Sequence, residues 1–374
     1  MNICFISHAL KFDVSTPLKA PLGGTESCVC YLSVALAGLG HAVTLLGNND
    51  DVGLVMGVNC VDIAKHGNTA FFHQQRFDAV VVVNSLDIVP VLTADVLPPG
   101  TPVFLWNHHD SNQPAIRSLG DANIRRCLAG IVFVSRYQQE TTARYFPLAD
   151  VPTCAIGNGL TPSFGNLFAS ADDLLNRKKS SNIAVYTSTP FRGLSALFDV
   201  MQDAPQDVTL KVFSSMKVYQ SDDRPFEPLF ERGRSLRNVQ LRGSVSQTQL
   251  AQELAQASLF TYPSTFPETF CIAALEALAA GLDVITTDLG ALPETCGKFA
   301  TYLPHSLLTS HPEQFIAEFR QAMARNIAFK SSRSAEWALR QFEQASQVSA
   351  AFTWANRARE WERVLAGDSS TRRP

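Results

Sequence analysis

The stretch SLFTYPSTFPETFCIAALEALAAGLDVITTD, Ser258–Asp288, reads as a strand, a helix and a second strand in direct succession. SLFTYP and DVITTD are short apolar runs with β-branched and aromatic residues, while IAALEALAAG between them is built of helix formers. Strands joined through a helix lie parallel, and a parallel sheet is covered by helices on both faces. The same alternation extends in both directions. NICFIS, AVTLLG, DAVVVVN, TPVFLW, GIVFVS and TCAIGN form one series; IAVYTS, VTLKVFSS, NVQLRG, SLFTYP, DVITTD and FATYLP form another. Helical segments separate many of them, such as TESCVCYLSVALAGLG, which ends on Gly40. Between the two series, LTPSFGNLFASADDLLNRKKSSN has weak patterning.

Two series of similar size predict an α/β fold of two doubly wound domains, residues 1–165 and 166–349, with ligands bound in the crevice between them. In the tail FTWANRAREWERVLAG, residues Phe352, Trp354, Ala358, Trp361 and Leu365 fall near helical spacing. Residues 350–374 are therefore expected to return to the first domain as an amphipathic packing helix.

Composition narrows the function. Of 374 residues 46% are hydrophobic and 17% charged, which is globular. The net charge is −3 with no basic run, so nothing is available to neutralise a nucleic-acid backbone. Nine Lys or Arg against twelve Asp or Glu in the first 165 residues argue against a polybasic anchor and leave at most peripheral membrane contact. The eight cysteines form no CxxC pair and sit mostly in apolar runs, as reduced core thiols do. The start MNICFISHALKFD lacks the pattern of a signal peptide, and no apolar run approaches the ~18 residues of a membrane span. The chain reads as soluble and cytoplasmic.

One acid, Glu276, stands alone in the apolar run Phe270–Ala280, and Glu268 precedes it by eight residues. The helix is expected to start beside Glu268, at the ligand-facing carboxyl end of the sheet, where free N–H groups attract anions. A carboxylate inside an apolar helix is costly unless hydrogen-bonded. Two acids flanking a phosphate site suit a ligand with hydroxyls on both sides of its phosphates, such as a nucleotide sugar. Read alone, the pair is better taken as an exposed helical Glu276 and a first-turn Glu268 favoured by the helix dipole.

The neighbouring motifs decide between these. Glu268 and Glu276 are followed by GLDVITTDLGALPETCG, and the chain also carries LGGTES, GHAVTLLG, WNHHD, FVSRYQQE, IGNGL, YTSTPFRGL, LRGSVSQTQL and WANRAREWERVL in this order around it. In this, over essentially its whole length, the chain resembles the retaining nucleotide-sugar glycosyltransferases of family 4, which have the two-Rossmann GT-B architecture. The resemblance implies transfer of a sugar from a nucleotide-diphosphate donor to an acceptor hydroxyl on a glycan, glycolipid or small molecule, with retained anomeric configuration. Donor binding falls mainly to the second domain and acceptor binding to the first.

Residue by residue, the resemblance implies that Glu276 holds the ribose and that Glu268 and His109 hold the transferred sugar. Arg192 in TPFRGL takes the diphosphate, where a cation stabilises the charge developing on the leaving group. Relatives carry a second cation five residues earlier; that position is Thr187 here, which leaves Lys217 as its replacement or as an ordinary solvated lysine. Thr269, Phe270 and Cys271 offer backbone amides, and the Val245 backbone meets the nucleobase. Gly23 and Gly24 let amides approach a phosphate or sugar; the absence of GxGxxG argues against a nicotinamide-type site. His109 otherwise orders the NHHD loop. Asn158 and Gly159 shape a turn at the end of the first series. No Asp-x-Asp pair is present, so no metal and no cofactor is expected. The rival readings are a sugar-nucleotide epimerase of the same architecture and a catalytically silent nucleotide-sugar-binding subunit.

Overall fold

The computed structural model describes residues 1–178, 182–205 and 207–367. The chain divides into two units, one of residues 1–159 with the helix Trp354–Leu365 and one of Leu160–Thr353. The first unit holds β1 (Asn2–Lys11), β2 (Ala42–Asn48), β3 (Gly53–Val55), β4 (Val58–Asp62), β5 (Ala79–Val83), β6 (Val103–Asn107), β7 (Gly130–Phe133) and β8 (Thr153–Ala155). They form one sheet in the order β3-β4-β2-β1-β5-β6-β7-β8. The second unit holds β9 (Ile183–Thr187), β10 (Thr209–Phe213), β11 (Val239–Leu241), β12 (Leu259–Tyr262), β13 (Asp283–Thr287) and β14 (Ala300–Leu303), ordered β11-β10-β9-β12-β13-β14.

Burial explains why these strands are legible. Every residue of AVVVV in β5 and of DVITT in β13 is buried, as in a parallel sheet covered on both faces. Each sheet reverses its order once: between β1 and β5 in the first unit, and between β9 and β12 in the second. At such a reversal the connections diverge and leave a crevice beyond the carboxyl ends of the strands.

Three features depart from the sequence expectation. β3 pairs antiparallel with β4 through a two-residue turn, Met56 and Gly57, both at positive φ; this is the turn geometry that closes a tight hairpin. The weakly patterned segment contains a helix, Ala171–Lys178, and a 3-10 turn, Pro162–Phe164. The helix expected to begin at Glu268 begins at Ile272, because Cys271 takes a left-handed conformation at φ 74° and leaves Glu268–Phe270 in a loop.

The tail helix Trp354–Leu365 packs in the first unit, with Trp361 edge-on to Phe5 and Trp106. Phe352 lies outside that helix, capping Ser334–Ala351. Gly159 lies against the Trp354 ring, which a Cβ there would approach to 2.6 Å. Among the described residues no helix is long and apolar enough to cross a membrane.

Candidate functional site

In the second unit, the sheet reversal between β9 and β12 brings Arg192 and Glu268 together. Arg192 follows β9 and Glu268 follows β12, so both stand beyond the carboxyl edge. Arg192 donates from one guanidinium nitrogen to both Glu268 oxygens, at 2.9 and 3.0 Å. Tyr262, the last residue of β12, donates its hydroxyl to Glu268 Oε1 at 2.5 Å. The other terminal nitrogen of Arg192 reaches the Tyr219 hydroxyl at 3.3 Å, and the guanidinium lies 4.4 Å from the Phe266 ring centre. Glu268 is 4% exposed, so it is no surface acid.

Around this pair the carboxyl edge carries buried polar atoms with no partner among the described residues. They are Thr187 Oγ1 at the end of β9, Thr189 Oγ1, Ser214 Oγ just beyond β10, and Arg192 Nε. Buried polar groups are normally hydrogen-bonded, so these atoms at the carboxyl edge are available to a polar ligand.

Two glycines permit the close approach. Gly193 has φ 107°, and a Cβ there would fall 2.0 Å from the Pro263 carbonyl oxygen. Gly290 has φ 67°, with a Cβ 2.5 Å and 2.6 Å from the Glu268 backbone oxygen and nitrogen. The next amide, Ala291, donates to the Glu268 carbonyl at 2.7 Å. The loop after β13 thus presses on the backbone of Glu268 and fixes it.

Glu276 lies on the helix Ile272–Ala279 and is 3% exposed. The reading of Glu276 as an exposed helical acid is therefore wrong. Thr161 donates to it at 2.5 Å, and burial raises its pKa to about 7 although that bond works downward. Phe270 and Cys271 are buried and Thr269 is half-buried; the Phe270 carbonyl accepts from the Thr295 hydroxyl. Burial pushes the Cys271 thiol well up, with the Glu268 charge adding to it. A thiol so held is a poor nucleophile.

Lys217 sits on the 3-10 turn Met216–Tyr219 with an exposed side chain. Asp223 braces that turn, accepting from the Met216 amide at 2.6 Å and the Ser215 hydroxyl at 2.7 Å. Val245 is half-buried in the loop before the helix Gln247–Leu254. Among the described residues, no group of three or more His, Cys, Asp or Glu is arranged to hold a metal.

The first unit carries the remaining residues. Gly23 is the N-cap of the helix Gly24–Gly38, with an ordinary negative φ, and its carbonyl accepts from Ser27 at 2.9 Å. His109 follows β6, and its Nδ1 is 2.7 Å from Gln113 Oε1. Its carbonyl accepts from Gln138 at 2.7 Å and Asn107 at 3.0 Å. Burial lowers the His109 pKa, with the Gln113 bond opposing. Burial drives adjacent His108 down to about 3.

Comparison with known proteins supplies a fold name. The chain matches sucrose-phosphate synthase from Thermosynechococcus elongatus with a TM-score of 0.75 at 17% identity, over 98% of both chains. It matches the Anabaena protein HepE in complex with UDP-glucose at 0.70 and 16% identity, over 98% of this chain and 100% of that one. A glycosyltransferase from Rickettsia africae matches at 0.69 and 13% identity, over 98% of both. The chain has the GT-B fold. Residues 192–325 also match the family model for glycosyl transferases group 1, a span that contains Arg192, Glu268 and Glu276. The comparison with curated proteins gave no match.

Tyr262, Tyr219 and Thr161 escaped the sequence reading. An aromatic residue at a strand end reads as core packing, and nothing in FTYP or LTPS separates a hydroxyl aimed at a carboxylate from one that fills space.

Proposed function

We propose that the chain is a retaining glycosyltransferase of the hexosyltransferase type, working on a nucleotide-diphosphate sugar and an acceptor hydroxyl without a metal. One observation carries this reading: Arg192 and Glu268 meet at the sheet reversal beside the unpartnered polar atoms of Thr187, Thr189 and Ser214. A part-buried cation suits a diphosphate, and a buried carboxylate beside it suits sugar hydroxyls. The UDP-glucose named with HepE supports the same ligand class.

In this mechanism the bond from the sugar's anomeric carbon to the terminal donor phosphate breaks, and a bond to the acceptor oxygen forms on the same face. The acceptor proton passes to the departing phosphate oxygen. Arg192 takes up the leaving-group charge, with Lys217 and the amides of Thr269, Phe270 and Cys271 as further donors. Glu276 accepts from the ribose, and Val245 meets the base with its backbone. The same reading gives His109 to the transferred sugar, and the amides at Gly23 and Gly24 to a donor phosphate or sugar. The acceptor hydroxyl belongs to a glycan, a glycolipid or a small molecule.

The test is transfer by the purified chain from UDP-, GDP- and ADP-sugars to a saccharide acceptor panel, with and without excess EDTA. The product's first-formed anomer is read by NMR. Transfer with retention that survives EDTA is expected. Loss of transfer in EDTA with rescue by magnesium or manganese refutes metal independence. An inverted product refutes the mechanism.

A further inference from the structure

We propose that the Arg192–Glu268 pair is an exchange latch that handicaps a bare nucleoside diphosphate relative to the intact donor. The inference rests on the donor-site reading above and adds a discrimination step to it.

The geometry sets up a competition for one cation. Both Glu268 oxygens accept from Arg192, and Glu268 is almost wholly buried. A diphosphate that takes Arg192 therefore strips a buried carboxylate of its counter-charge, which is strongly unfavourable. Tyr262 stays on Glu268. An intact donor brings sugar hydroxyls that donate to the vacated oxygens; a nucleoside diphosphate brings none. Only one terminal nitrogen of the guanidinium holds Glu268, and the other reaches Tyr219 at 3.3 Å, so few contacts are broken when Arg192 changes partner. Phe266 supports its face through either arrangement. After transfer, Glu268 recaptures Arg192 and the nucleoside diphosphate is released.

Two variants have opposite signs. Glu268→Gln removes the competitor, so the nucleoside diphosphate should bind about tenfold tighter while the intact donor gains nothing. Tyr262→Phe removes a hydroxyl that stays on Glu268 when Arg192 leaves. Glu268 then holds Arg192 harder, and nucleoside diphosphate affinity should fall about three- to tenfold.

Isothermal calorimetry with UDP, GDP and ADP on the full chain reads both, using whichever binds the wild type tightest, with thermal unfolding to verify each variant's fold. Tighter binding in Glu268→Gln with weaker binding in Tyr262→Phe supports the latch. Unchanged or weaker binding in Glu268→Gln, or both variants moving the same way, overturns it while the donor-site reading stands. If Glu268→Gln does not fold, the sign of Tyr262→Phe decides. No binding of any of the three to the wild type at millimolar concentration overturns the donor-site reading, and the latch with it.

Discussion

Glu276 is a carboxylate that folding makes hard to ionise. Burial raises its pKa to about 7, against a Thr161 bond that works the other way. The folded chain therefore holds this proton more tightly than the unfolded chain does. Its stabilising contribution is fully present below the unfolded value near 4.5 and is lost as pH rises through about 7. Two outcomes are expected. Glu276→Gln, which cannot ionise, should unfold at nearly the wild-type temperature at pH 5 and be more stable at pH 8, by on the order of 3 kcal/mol. Under the proposed function the ionised form is the ribose acceptor, so nucleoside diphosphate affinity should rise between pH 6 and 8 in the wild type. In Glu276→Gln it should be weaker and lack that rise. Denaturation curves and calorimetry at the two pH values check both; a variant less stable than wild type at pH 8 would contradict the first. The spacing of Glu268 and Glu276 was visible in the sequence because acids stand out in an apolar run. Their partners were not: Arg192 and Thr161 are distant in sequence, while Tyr262, only six residues before Glu268, reads as strand-end packing.

Elements in this chain are legible where burial and pattern agree, and obscure where a special backbone angle decides. The strands of both units follow from β-branched runs such as AVVVV and DVITT. The β3–β4 hairpin did not, because its closure rests on positive φ at Met56 and Gly57 within two short strands. The start of Ile272–Ala279 was obscure for the same reason, since Pro267 and Glu268 imitate a helix start while Cys271 turns left-handed. Gly290 is the element-scale residue that ties the β13 loop to Glu268. Gly290→Ala would put an L side chain at φ 67° and a Cβ 2.5 Å from the Glu268 carbonyl oxygen. The left-handed conformation alone costs about 1–2 kcal/mol, and the overlap adds to it by forcing the loop off Glu268. A cost of about 2 kcal/mol or more is expected, as a lower unfolding temperature, with weakened nucleoside diphosphate binding. An alanine variant with wild-type stability would show that the loop does not bear on Glu268.

At the scale of the whole chain, the first unit is assembled from both ends of the sequence. Residues 1–159 supply its sheet, while the helix Trp354–Leu365 returns after the second unit is complete. That helix contributes Trp361, 1% exposed and ring-packed 5.0 Å from Trp106 and 6.4 Å from Phe5. Removing such a side chain leaves a large cavity, and Trp→Ala in a core costs about 3–5 kcal/mol. The second unit keeps a separate core and, under the proposed function, most of the donor site. The two perturbations should therefore separate in scanning calorimetry. Trp361→Ala should pull part of the unfolding enthalpy to lower temperature. Saturating nucleoside diphosphate should move the remainder upward, since ligand at a hundredfold excess over its Kd adds about 2.7 kcal/mol to the unit that holds it. In the variant with ligand, two transitions should stand further apart than in the variant alone. A single transition that the ligand raises as a whole, in Trp361→Ala as in the wild type, would mean that the two cores unfold together. The tail helix would then govern the stability of the donor unit as well as its own.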